Sequence, residues 1–286
     1  VSTLNQRGVM SRSAYVHMVG AFSTHEGQGN PVYVVYDMGN WEADERQKFT
    51  SFANLSECVF VQSVKRTSID EPTVEIQIFN PNGAMKFAGH PIIGAIRSLY
   101  DKLGIDSGVI NTGSVTAAFR SKDSVDGRIS ELEVPDPQSS IYDRSFDLCD
   151  LYGVTARALP IYNCGPRHVL LRMPDNRSLA SFDPQWERLK TFNDIALNVY
   201  SVGATGVENR MFSPSYGVYE DRATGSAVIP LLKEIRKTNS SIETIRVTQG
   251  TNRKAGVLMY GRYLPQQEKY ILSGLTNSVM AGEALP

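Results

Sequence analysis

Apolar and polar residues alternate most regularly over Val74–Phe79 (VEIQIF), which predicts a strand with one buried face. Ahead of it, Ala14–Met38 reads as two strands, AYVHMVGAFS and VYVVYD, around the polar stretch THEGQGNP, because β-branched and aromatic residues dominate both arms. The period then changes. Trp41, Phe49, Phe52 and Leu55 are separated by charged residues, which predicts an amphipathic helix over 41–55, and CVFV (Cys58–Val61) follows as a strand. Pro81-Asn82-Gly83 turns the chain. After Ala88-Gly89-His90-Pro91, the run IIGAIRSLYDKLG predicts a helix with Pro91 in its first turn and Gly104 at its end. In the second half NCGPRHVLLRMP predicts a strand, WERLKTFNDIAL (186–197) a helix, NVYSVGA a strand and SAVIPLLKEIRK a helix.

Two segments of this pattern can be superimposed. Phe79-Asn80-Pro81 leads to Gly89-His90 and a helix; Phe212-Ser213-Pro214 leads to Gly225-Ser226 and a helix, with ten residues from Phe to Gly in the first and thirteen in the second. Two copies over much of the chain predict two homologous α/β lobes rather than a solenoid. The most linker-like stretch is Pro135–Ser140 (PDPQSS). If the lobes face each other, two helix N-termini converge on one cleft. Each favours an anion by roughly 0.3–1 kcal/mol, so a small carboxylate is the natural ligand. Either glycine alone reads as an ordinary turn glycine; as a pair, Gly89 and Gly225 let the backbone approach that ligand. His90 stands at the first helix entrance, where a helix N-terminus disfavours its protonated form. Asp221 precedes the second helix, where a plain capping role is equally open. Glu57 sits where a helix gives way to an apolar strand, a place that burial would make suitable for proton transfer by raising its pKa, although alone it also reads as a surface residue.

Composition removes several classes. The 286 residues are 41% hydrophobic and 21% charged, as in ordinary globular proteins. Lys and Arg number 29 against 30 Asp and Glu, too balanced to predict nucleic-acid binding. The cysteines, Cys58, Cys149 and Cys164, are odd in number and lack CxxC spacing, which predicts neither disulfides nor zinc and suits the cytoplasm. No run reaches the roughly 20 apolar residues of a membrane helix. Thr224-Gly225-Ser226-Ala227-Val228 lacks the second glycine of a serine-hydrolase elbow, and no histidine follows it. Gly89–Gly94 has P-loop spacing but continues Ala-Ile, without the phosphate-binding lysine. His17, His25, His90 and His168 show no metal-ligand spacing.

GNPVYVVYD (29–37), NLSECVFV (54–61), FAGHPIIGA (87–95), GPRHVLL (165–171) and MFSPSYGVYEDRATGSA (211–227) occur in the order of the PhzF-like family's signature blocks, and the chain resembles that family from Ala14 onward. The resemblance implies an α/β (α+β) fold like that of diaminopimelate epimerase: two pseudo-symmetric lobes, each a curved sheet around a central helix. Residues 14–134 and 274–286 would form lobe 1 and 135–273 lobe 2, after a flexible 1–13, with the active site in the cleft. It implies a cofactor-independent, metal-free isomerase that moves a proton between carbons of a small unsaturated cyclic amino acid. Glu57 would be the acid/base, with His90 and Asp221 orienting the substrate. Ser226 and the Gly225 amide would hold its carboxylate, and Gly89 would also bind the substrate. The namesake's substrate is trans-2,3-dihydro-3-hydroxyanthranilate, in phenazine biosynthesis; relatives acting on another unsaturated amino acid, or only binding a metabolite, are the alternatives. A homodimer is expected, with neither nucleic-acid nor membrane partners. Cys58 departs from the family pattern, which has threonine after the glutamate. The two cysteines of diaminopimelate epimerase have no counterpart at Ala88, Gly89 or near Thr224.

Overall fold

The computed structural model describes residues 12–24, 29–66, 71–250 and 257–286. Positions 1–11 of the expected N-terminal tail, and His25, lie outside them. The chain divides into two compact units: Val1–Ser23, Gln28–Glu133 and Gly274–Pro286 make the first, and Thr24–Gly27 with Val134–Ser273 the second.

The first unit contains β1 (Ala14–Ser23), β2 (Asn30–Tyr36), α1 (Ala43–Ala53), β3 (Cys58–Lys65), β4 (Thr73–Asn80), β5 (Gly83–Met85), α2 (Gly89–Leu103), β6 (Ser107–Asn111), β7 (Thr116–Ser124) and β8 (Gly127–Val134). In the second follow β9 (Gln138–Ile141), α3 (Ser145–Leu151), β10 (Pro160–Asn163), β11 (Arg167–Arg172), α4 (Asn176–Ala180), α5 (Trp186–Leu189), β12 (Ala196–Gly203), β13 (Gly206–Ser213), a 3-10 turn (Pro214–Tyr216), β14 (Val218–Asp221), α6 (Gly225–Thr238), β15 (Thr244–Gln249) and β16 (Leu258–Leu264). The long β17 (Lys269–Ala284) serves both units: its first residues pair with β16, its later ones with β1.

Strand pairing repeats between the units. β1–β2 and β10–β11 are antiparallel, β2–β3 and β11–β12 parallel, β3–β4 and β12–β13 antiparallel. A short antiparallel return (β4–β5, β13–β14) then feeds the long helix, after which the chain re-enters parallel to the strand before it (β4–β6, β13–β15). The unequal Phe-to-Gly gaps now have a cause. Two of the three extra residues lie in the turn before β14 and one in β14 itself, so three residues precede the helix in both units. Gly89 and Gly225, and likewise His90 and Ser226, are therefore equivalent.

The first two turns of α2 are buried all round and only its last turn exposes Tyr100, Asp101 and Lys102, so the helix enters the centre of its unit by its N-terminal half, where Ile92, Ile93, Ala95 and Ile96 are buried, with Leu99 beyond them. Each large side chain so buried contributes about 1.5–3 kcal/mol. It ends at Gly104, in the left-handed conformation (φ 65°), as its sequence predicted. Gly94 is needed for another reason: a Cβ there would lie 2.2 Å from Val32 Cγ1, so its absence lets α2 sit down on β2.

One predicted element is corrected. The helix expected over 186–197 is a single turn, Trp186–Leu189, and Ala196 already belongs to β12. Leu189, Phe192 and Ile195 keep their apolar spacing and are buried, but as anchors of a winding segment. Asp194, at φ 54°, breaks any helix so that β12 can start in parallel register with β11.

Candidate active site

The six residues singled out in the sequence divide between the units: Glu57, Gly89 and His90 belong to the first, Asp221, Gly225 and Ser226 to the second.

Glu57 is placed by its neighbours in the chain. α1 ends at Asn54 in the left-handed conformation, and β3 begins one residue after Glu57. α1 is held from both sides. Trp41, Cys58, Phe60 and Phe79 form a buried cluster on which Phe49 packs, with edge contacts of Phe49 to Trp41 at 5.7 Å and to Phe60 at 6.1 Å between ring centres. Arg46 Nε donates to the fully buried Asp37 carboxylate at 2.6 Å, and its other arm donates to Gln77 Oε1 at 3.0 Å. The short link to β3 leaves the Glu57 side chain 19% exposed and turned to α2. There His90 Nδ1 donates to Glu57 Oε2 at 3.0 Å, and His90 Nε2 lies 3.3 Å from the Asn30 carbonyl oxygen.

The protonation expected of Glu57 is corrected by this contact. Burial pushes its carboxyl up, but the hydrogen bond and charge of His90, joined by the Ser56 hydroxyl, outweigh burial and hold it below the ordinary value of 4.5. Glu57 thus rests as a carboxylate at neutral pH. Cys58, its chain neighbour, faces the other way, into the aromatic cluster, and burial pushes its thiol up to about 12.

At the entrance of α6, Thr224 Oγ1 donates to Asp221 Oδ2 at 2.6 Å, and Gln249 Nε2 donates to the Asp221 carbonyl at 3.0 Å. Ser226 Oγ is 2.9 Å from His168 Nε2. Neither α2 nor α6 has a side-chain cap or an acidic residue in its first turn. Helix N-termini left in that state favour an anion. Behind α6 lies a buried polar row, His168, Asn198, Asn209 and Gln249, that the sequence reading did not single out. Its signal was present: His168 in RHVLLR and Asn198 in ALNVYSV are polar interruptions of strands otherwise apolar on both faces.

The family model described as phenazine biosynthesis-like protein (PhzC-PhzF) matches residues 19–282. The chain belongs to this family. It is 32% identical to a trans-2,3-dihydro-3-hydroxyanthranilate isomerase of Pseudomonas chlororaphis, across 86% of this chain and 88% of that one. The fold is similar to that of a PhzF-family phenazine biosynthesis protein from Bacillus anthracis, with a TM-score of 0.76, 17% identity and 96% and 99% of the two chains covered. It is also similar to a hydroxyproline epimerase from Agrobacterium vitis, with a TM-score of 0.62, 10% identity and coverage of 96% and 93%. These matches give the chain the α+β, diaminopimelate epimerase-like fold, and the named relatives make it a PhzF-like isomerase. Burial raises the pKa of Cys149 and takes that of Cys164, like that of Cys58, to about 12. Among the described residues no helix is long and apolar enough to cross a membrane, and no group of three His, Cys, Asp or Glu could hold a metal ion.

Proposed function

We propose that this PhzF-like isomerase moves a proton between two carbons of a small unsaturated cyclic amino acid by the acid–base chemistry of Glu57, and that its substrate is trans-2,3-dihydro-3-hydroxyanthranilate. The observation that carries the reading is the 3.0 Å contact of His90 with a half-buried, ionised Glu57 at the entrance of α2. A carboxylate is the form needed to take a proton from carbon; once protonated, it is the acid that returns the proton to another carbon. The substrate's atoms are conserved, one C–H bond breaking and another forming. His90 fixes the direction of the carboxylate and steadies its charge. Gly89, at the same helix entrance, lets the backbone approach the substrate without a Cβ in the way.

Asp221, held by the Thr224 hydroxyl, accepts a hydrogen bond from the substrate's polar groups, and Ser226 with the Gly225 amide holds its carboxylate. The names of the Pseudomonas relatives support the substrate. The test is incubation of the purified protein with trans-2,3-dihydro-3-hydroxyanthranilate, followed by ultraviolet absorbance and by NMR of the product. Enzyme-dependent conversion to the isomer is expected. Absence of turnover would remove this substrate and leave an isomerase of a different unsaturated amino acid.

A further inference from the structure

The buried row behind α6 has its hydrogen-bond direction fixed by the backbone. Asn198 Nδ2 donates to the Ala196 carbonyl at 3.1 Å, which sets its amide orientation; the same nitrogen lies 2.9 Å from His168 Nδ1. His168 Nδ1 must therefore accept. The orientation is confirmed from the far end. Gln249 Oε1 accepts from the Thr224 N–H at 3.2 Å while its Nε2 donates to the Asp221 carbonyl, so Oε1 also accepts from Asn209 Nδ2 at 2.9 Å. Asn209 Nδ2 then donates to Asn198 Oδ1 at 3.2 Å, in agreement with the first assignment.

His168 is fully buried, and burial takes its pKa down to about 3, so the ring is neutral. A neutral ring that accepts at Nδ1 carries its proton on Nε2, the atom 2.9 Å from Ser226 Oγ. Ser226 Oγ receives that hydrogen bond, and its own proton is left to point elsewhere. We propose that Asn198 and His168 are positioning residues: Asn198 locks the tautomer of His168, which occupies the acceptor side of Ser226 and so makes that hydroxyl a committed donor to the ligand's carboxylate at the α6 entrance. A serine whose neighbour were instead an acceptor would spend its single proton there and have none left for the anion. This inference rests on the assignment of Ser226 to carboxylate binding made above.

Two measurements test it. In histidine-15N-labelled protein, long-range 1H–15N correlation spectra should show one imidazole, lost in His168→Gln, that stays in the neutral Nε2–H form from pH 5 to 8; an Nδ1–H form or a titrating ring overturns the proposal whatever the substrate. The second is a cycle read by calorimetric titration with 3-hydroxyanthranilate as the probe. His168→Met, which fills the space without a donor, should weaken binding about tenfold, and His168→Gln, which keeps an N–H, should stay within about threefold of the wild type. In a Ser226→Ala background His168→Met should change nothing further. An equal tenfold loss in that background would show that His168 is only structural and overturns the positioning role. If the wild-type protein fails to bind the probe, the substrate assignment falls, while the spectra still decide the tautomer lock.

Discussion

Asp37 and Arg46 hold the helix that leads into Glu57, and removing Asp37 is expected to be the costliest polar change in the first unit. Asp37 lies at the end of the GNPVYVVYD block with its carboxylate fully buried, 2.6 Å from an Arg46 guanidinium that is itself only 6% exposed. Asp37→Ala leaves that cation buried with a neutral oxygen of Gln77 as its hydrogen-bond partner and the Phe60 ring 6.0 Å away. Breaking a buried pair by deleting one partner costs about 3–5 kcal/mol, whereas replacing both partners by apolar groups is often neutral. Asp37→Ala should therefore lower unfolding free energy by about 3–5 kcal/mol, and adding Arg46→Met should recover most of the loss. Urea titration followed by tryptophan fluorescence in a Trp186→Phe background measures this, because the remaining Trp41 is buried against Phe49 and Phe60 in the same unit. A loss below about 1 kcal/mol for the single variant, or a double variant no better than the single, would refute the reasoning that this pair clamps α1.

Other consequences follow from the same contacts. Since the pKa of Glu57 is depressed in the fold, the pair with His90 contributes stability above the ordinary carboxyl value of 4.5, lost as pH falls through the lower folded value; the stability gap between wild type and Glu57→Gln should shrink with acidification over that range, and a gap that widens would contradict it. His90→Phe removes the opposing partner and leaves burial to act, so the acid limb of the kcat/KM profile should move to higher pH; a downward shift would contradict the assigned cause. Cys58→Ala should keep activity within about threefold, and the Cys58 thiol, with its pKa near 12, should be unreactive toward Ellman's reagent until the protein unfolds. Gly94→Ala should destabilise by about 1–3 kcal/mol despite alanine's better helix propensity, because the new Cβ meets Val32 Cγ1 at 2.2 Å; Val32→Ala in the same chain should recover part of it, as read by thermal melts.

Elements with a strong period were legible in the chain before any coordinates. The alternation in VEIQIF and the apolar helix closed by Gly104 both formed as read, because their burial pattern and end signals agree. The repeated Phe-x-Pro and glycine-led helix carried the equivalence of Gly89 and Gly225. The 186–197 segment misled because Leu189, Phe192 and Ile195 recur at a helical interval, yet tertiary demand for a parallel β12 overrode local pattern at Asp194. β7 and β8, rich in small and charged residues, gave too little apolar signal to be assigned. At the site, Glu57 was legible as a carboxylate at a helix-to-strand junction. The sign of its pKa shift was not, since it depends on His90, 33 residues away in the chain and brought beside it by the fold. The His168 row was hidden for the same reason: its meaning lies in contacts between β11, β12, β13 and β15.

The account stands on Glu57 handing a proton from one carbon to another. Turnover of trans-2,3-dihydro-3-hydroxyanthranilate by wild-type protein and by Glu57→Gln, compared in D₂O with NMR detection of deuterium on the product ring, tests this most directly. The account predicts conversion with label at the receiving carbon for the wild type and a rate at least about 100-fold lower for the variant, the contribution expected of a positioned acid–base group. A Glu57→Gln rate within about tenfold of the wild type, a barrier change of no more than about 1.4 kcal/mol, would contradict it.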